Sequence, residues 1–114
     1  MRPRAIASAA ACALTLLLAV PAPASAAQGD FKYVYNDANG TQYGSLENPK
    51  SKTCITISQV ADPDTTEPAF SPDNETDKSA SVYLKPNCTG TPRFSLKAKS
   101  QLTSRVKFRS VKFS

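Results

Sequence analysis

"RVKFRSVKF", residues 105–113, decides the fold. Its apolar residues alternate with basic or hydroxyl residues, the period of a strand with one buried face. Val106 and Phe108 share one parity, but Val111 and Phe113 share the other. A single straight strand would send these two pairs to opposite faces. The change of phase at Arg109-Ser110 therefore requires two short strands or a bulge.

Moving back along the chain, "FKYVY" (31–35) is aromatic and alternating, "NDANG" (36–40) is a turn signal, and "TQYGSL" is its return strand. "TCITIS" (53–58) is β-branched, with Ile55 and Ile57 on one face and Cys54 and Thr56 on the other. "SASVYL" (79–84), the turn "KPNCTGT" (85–91) and "RFSLK" (93–97) lead to the closing stretch. No segment carries a 3.6-residue period. Short strands at this spacing predict an all-β sandwich or small barrel.

The first 26 residues have the plan of an exported leader. Arg2 and Arg4 precede an apolar run containing "ACALTLLLAV", Pro21 and Pro23 end that run, and Ala24-Ser25-Ala26 supplies small residues before a cut ahead of Ala27. Cys12 lies inside the run, not at its end, which excludes a lipid attachment. Alanine dilutes the run and no basic stop-transfer residues follow, so a transmembrane anchor is not expected. Taking 26 residues from 114 leaves 88, one small domain expected to be secreted and extracellular. Such a core is marginal alone and benefits from a covalent staple. With Cys12 removed, Cys54 and Cys88 form an even pair in an oxidising compartment, and a disulfide between them is expected. A closed loop of that length contributes roughly 3 to 4 kcal/mol on the chain-entropy account.

The chain contains no histidine. Ser-His-Asp and Cys-His hydrolases, histidine-ligated zinc enzymes and imidazole acid-base chemistry are thereby excluded. No phosphate-binding glycine loop is present either. A carboxylate pair of the glycosidase kind must be held rigidly about a sugar bond, whereas the acids here crowd into one proline-rich segment. The expectation is a protein without catalytic residues, cofactor or metal, and not an enzyme.

The two Ser-Val pairs of "TDKSASVYL" and "RVKFRSVKF" lie 29 residues apart, as in two copies of one supersecondary unit. "SVYLKPNCTGTPRFSLKAKSQLTSRVKFRSVKFS" (81–114) resembles one Greek-key motif of the βγ-crystallin fold: an aromatic strand, a turn ending in glycine, a second strand, and a closing strand built on Ser-Val-x-apolar. The likeness extends over 29–84, where "FKYVYNDANGTQYGSL" would open a first motif. It implies two Greek-key motifs forming a small β-sandwich over residues 27–114. It also implies a kinship with small secreted bacterial peptidase inhibitors stapled by disulfides. The family's calcium motif has its nearest match at Thr76-Asp77-Lys78-Ser79-Ala80-Ser81. Thr76 and Ala80 replace oxygen ligands there and Lys78 adds a cation, so at most weak calcium binding is implied.

Charge is polarised along the chain. Residues 27–77 hold three lysines and all nine acids, whereas Lys78 onward carries nine bases and no acid. Lys97, Lys99, Arg105, Lys107, Arg109 and Lys112 form a candidate basic face for an anionic surface polymer, without specific nucleic-acid recognition. The same alternation also describes an edge strand guarded by solvated cations. The other candidate partner is an extracellular protease. The acidic stretch "ADPDTTEPAFSPDNETDK" (61–78) reads as a long connection enclosed by Cys54 and Cys88, with Phe70 between Pro68 and Pro72. Either this loop is solvated and Phe70 turns inward, or the prolines present Phe70 as a protease anchor.

Overall fold

The computed structural model describes residues 25–114, so the expected leader, residues 1–26, lies outside the described residues except for Ser25 and Ala26. Nine strands follow in order: β1 (Gly29–Asp37), β2 (Gly40–Glu47), β3 (Cys54–Thr56), β4 (Ala69–Thr76), β5 (Ala80–Tyr83), β6 (Phe94–Leu96), β7 (Ser100–Gln101), β8 (Lys107–Phe108) and β9 (Ser110–Phe113). Short 3-10 turns occupy Ser58–Val60 and Pro86–Cys88. Two antiparallel sheets pack together as a sandwich. The first has the order β2-β1-β4-β7, with β8 also on β4, and the second has the order β3-β9-β5-β6.

The break in "RVKFRSVKF" is the point where the chain changes sheet. Phe108 pairs with Ala69 in the first sheet, and Ser110 pairs with Tyr83 in the second. Arg109 makes the step, donating its N–H to the Tyr83 carbonyl while its own carbonyl accepts from Ile57 N–H. Both halves can therefore bury their apolar residues in one core despite opposite parity. Phe31 stands between them, edge-on to Phe108 at 5.9 Å and to Phe113 at 5.3 Å. Such pairs add about 0.5–1.5 kcal/mol each beyond the area they bury.

The β1–β2 hairpin turns at Ala38-Asn39, with Asn39 N–H donating to the Asp37 carboxylate at 2.8 Å. Opposite Gly44, the Tyr33 ring lies across the glycine so closely that a Cβ there would meet it at 2.4 Å. Glycine is thus required by the aromatic ring packed on it.

The acidic segment is not one loop. Residues 61–68 form an exposed connection, but 69–76 are β4, in the middle of the first sheet. This corrects the expectation from composition. The inward positions of β4 are Ala69, Pro72, Asn74 and Thr76, all buried. Two of them are polar, and they are tolerated because they are fully bonded. The Asn74 amide donates to the Lys78 carbonyl at 2.8 Å and the Lys97 carbonyl at 3.1 Å, and its oxygen accepts from the Thr76 hydroxyl at 2.7 Å. Pro72 fits inside a central strand because it sits at a bulge: pairing shifts between Lys32 and Val34, and Ser71 adopts φ +52°.

Candidate functional site

The disulfide between Cys54 and Cys88 is present, with Cα atoms 5.9 Å apart. It lies outside the second sheet, because Cys54 pairs with the exposed Lys112 while neighbouring Ile55 pairs with the buried Val111. From there it holds residues 84–94, the connection between β5 and β6 together with the first residue of β6, against the sheet. Hydrogen bonds brace the same connection. The Ser110 hydroxyl donates to the Lys85 carbonyl at 2.6 Å and accepts from Cys88 N–H at 2.8 Å. Asn87 N–H donates to the Thr56 hydroxyl at 2.9 Å, and Arg93 N–H donates to the Val82 carbonyl at 2.7 Å. Asn87 and Cys88 are held at φ +59° and +52°, a turn that non-glycine residues adopt only under such restraint. Thr89 through Arg93 remain exposed, and the exposed apolar residues Leu84 and Phe94 stand at the two ends.

The 61–68 connection is braced by Arg109. Arg109 is only 7% exposed, and its guanidinium donates to the Val60 carbonyl at 2.9 Å, the Thr66 hydroxyl at 2.8 Å and the Thr66 carbonyl at 2.7 Å. Arg109 therefore does not belong to a basic surface; it is a structural clamp whose charge is spread over neutral oxygens. Asp62 completes the turn, accepting Asp64 N–H on its carboxylate at 2.9 Å.

Phe70 is not carried on that connection. It lies on β4, half-buried, paired with Val34 on one side and Lys107 on the other, with the Lys107 ammonium 4.4 Å from its ring centroid. Pro68 and Pro72 flank a strand residue, not the tip of a loop.

The other basic residues do not form one face. Lys107 projects outward from the first sheet and Lys112 outward from the second, on opposite sides of the sandwich. Lys97 and Lys99 lie in the β6–β7 turn, where the Lys99 ammonium donates to the Glu75 carbonyl at 2.9 Å. Arg105 is exposed on the connection before β8. Lys112 instead shares a hollow of about 180 Å³ with Lys52, Ser79, Ser81 and Ser114. At the expected cleavage position, Ala26 bridges to Lys50, and Ala27 is buried with its N–H on the Pro49 carbonyl at 2.8 Å.

A groove lies on the outward face of the first sheet. It has a volume of about 420 Å³ and is lined chiefly by Lys32, Val34, Tyr43, Ser45, Asp73 and Gln101. Strand register sets these side chains in rows. One row runs Tyr43, Val34, Phe70, Lys107, and the next runs Ser45, Lys32, Asp73, Gln101. Desolvation raises the Asp73 carboxyl above its ordinary pKa, a hydrogen bond and repulsion from Glu75 raise it further, and Lys32 lowers it in part. Asp73 and Glu75 are two apart on β4 and face the same side of the first sheet.

Two features of these sites escaped the sequence reading. Tyr43 was legible in principle, because it has the opposite parity to Leu46 on β2 and must face outward. The burial of Ser110 under the 84–94 connection had no sequence signal, since a hydroxyl at a strand position reads as exposed. Asn74, one of three Asn-x-Ser/Thr sequons with Asn39 and Asn87, is fully buried and unavailable for glycosylation in the folded protein. Compared with known proteins, the chain matches no family model, no curated protein and no solved structure.

Proposed function

We propose that the chain is a secreted, non-enzymatic domain of two βγ-crystallin-like Greek-key motifs that inhibits an extracellular peptidase through residues 84–94. The connectivity supports the motif reading. In each half a hairpin is followed by a strand given to the other sheet and then by a strand returning beside the hairpin's first strand: β1–β2, β3, β4, and then β5–β6, β7, β9. A fourth strand that returns beside the first is the connection of a Greek key.

The observation carrying the inhibitor reading is the bracing of the 84–94 connection. A peptide segment that occupies a protease cleft as an inhibitor must be exposed yet lose little entropy on binding. Thr89 to Arg93 meet the first condition, and the disulfide with the Ser110, Thr56 and Val82 bonds meets the second. Leu84 and Phe94, 38% and 46% exposed, provide apolar anchors at its base. The anchoring role thus falls to this segment and not to Phe70. Titration of residues 27–114 against secreted serine and metalloproteases should inhibit at least one enzyme stoichiometrically at micromolar protein. Full activity throughout the panel would overturn the reading.

A second reading, binding of an anionic surface polymer, is favoured only by the hollow that Lys52 and Lys112 share. Retention on heparin that survives the double change Lys52→Glu, Lys112→Glu would remove it.

A further inference from the structure

We propose that the outward face of the first sheet binds an uncharged polysaccharide chain, seated on the Tyr43 ring and hydrogen-bonded along the row Ser45, Lys32, Asp73 and Gln101. Tyr43 is 80% exposed, the most exposed of the three large hydrophobic residues at the described surface. It is far from the braced connection and has no part in inhibition. A tyrosine ring offers an apolar face and a polar tip, which suits a sugar ring that is apolar on its C–H face and polar at its edges.

The two rows repeat that division across the sheet. Tyr43, Val34 and Phe70 provide apolar surface, and the adjacent row provides a hydroxyl, an ammonium, a carboxyl and an amide. The rows cross successive strands about 4.8 Å apart, so the groove is an open track and suits an extended chain. Its volume of about 420 Å³ is in the range of ligand clefts. Charge complementarity selects the occupant. Lys32 and Lys107 are interspersed with Asp30, Glu47, Asp73 and Glu75 on this face, so a polymer of either sign would meet like charges. An uncharged polyhydroxylated chain can use donors and acceptors of both kinds.

The carboxyls make this a binding face and not a hydrolase site. A glycosidase pair stands about 5 Å or more apart on either side of the scissile bond. Asp73 and Glu75 instead occupy successive rows on the same side of the Tyr43 row.

Residues 27–114 should be retained on at least one of chitin, cellulose and xylan, and retention should persist at high salt. Tyr43→Ala should reduce it about tenfold or more, the fold-change of an anchor residue, and Gln101→Ala should reduce it less. Lys112→Glu, on the other sheet, should leave it unchanged. Unchanged denaturation midpoints for the exposed Tyr43 and Gln101 variants establish that folding is not the cause. The proposal is overturned if none of the three polysaccharides retains the protein, or if Tyr43→Ala is retained like the wild type. It is also overturned if retention collapses with salt, which indicates an anionic polymer. Sedimentation as a dimer that Tyr43→Ala dissociates would give the face to a second copy of the chain and equally exclude the proposal.

Discussion

Arg109 stands where the chain leaves the first sheet for the second, and its side chain ties the 61–68 connection to that crossing. Its guanidinium satisfies three oxygens of the Val60–Thr66 region in a nearly closed site. Arg109→Met retains much of the apolar stem but leaves those acceptors without donors, and should cost about 2–4 kcal/mol in urea denaturation. Amide exchange at Thr65 and Thr66 should rise more than exchange in β1. Gly44→Ala tests the ring contact: Tyr33 is buried and its hydroxyl donates to Gln59 at 2.9 Å, so the ring has little freedom to withdraw. The overpacking should cost about 1–3 kcal/mol.

Asp73 carries a pH signature. A carboxyl whose folded pKa is raised favours the folded state below its unfolded value, and that advantage disappears as pH rises through the folded pKa. From about pH 4 upward, through the raised value, wild type should lose stability relative to Asp73→Asn. Parallel urea midpoints for the two proteins across this range would contradict the assignment.

At the scale of elements, the disulfide and the Ser110 hydroxyl jointly hold the Pro86–Cys88 turn on β3 and β9. β3 is a three-residue edge strand with little stability of its own. Replacing both cysteines by alanine should cost roughly 3 kcal/mol, and the protection lost should concentrate in β3 and residues 84–94. The elements legible in sequence were those where side-chain period and burial agree. β3, β5 and β6 fall within the expected stretches, β1 and β2 extend one or two residues beyond theirs at each end, and the phase change at Arg109-Ser110 is the passage from β8 to β9. β4 was illegible because its inward positions are Pro72, Asn74 and Thr76, whose burial depends on carbonyls contributed by other turns. Local composition cannot report such partners. The same limit misplaced Phe70 on a loop, and it merged lysines of two opposed sheets into one basic face.

At the scale of the molecule, the three large hydrophobic residues exposed among the described residues fall on two separate surfaces: Leu84 and Phe94 at the braced connection, and Tyr43 on the outward face of the first sheet. The described residues thus join a small disulfide-stapled core to two proposed recognition surfaces that can be altered independently. The proposed peptidase inhibition rests on the first of these. Its most direct test is the inhibition constant of wild type, Thr91→Glu and Tyr43→Ala against a protease that residues 27–114 inhibit. Thr91 is exposed in the middle of the connection, so a carboxylate there should leave the fold intact. The account predicts that Thr91→Glu weakens inhibition about tenfold or more at an unchanged denaturation midpoint, while Tyr43→Ala inhibits as wild type does. Equal inhibition by wild type and Thr91→Glu would contradict it.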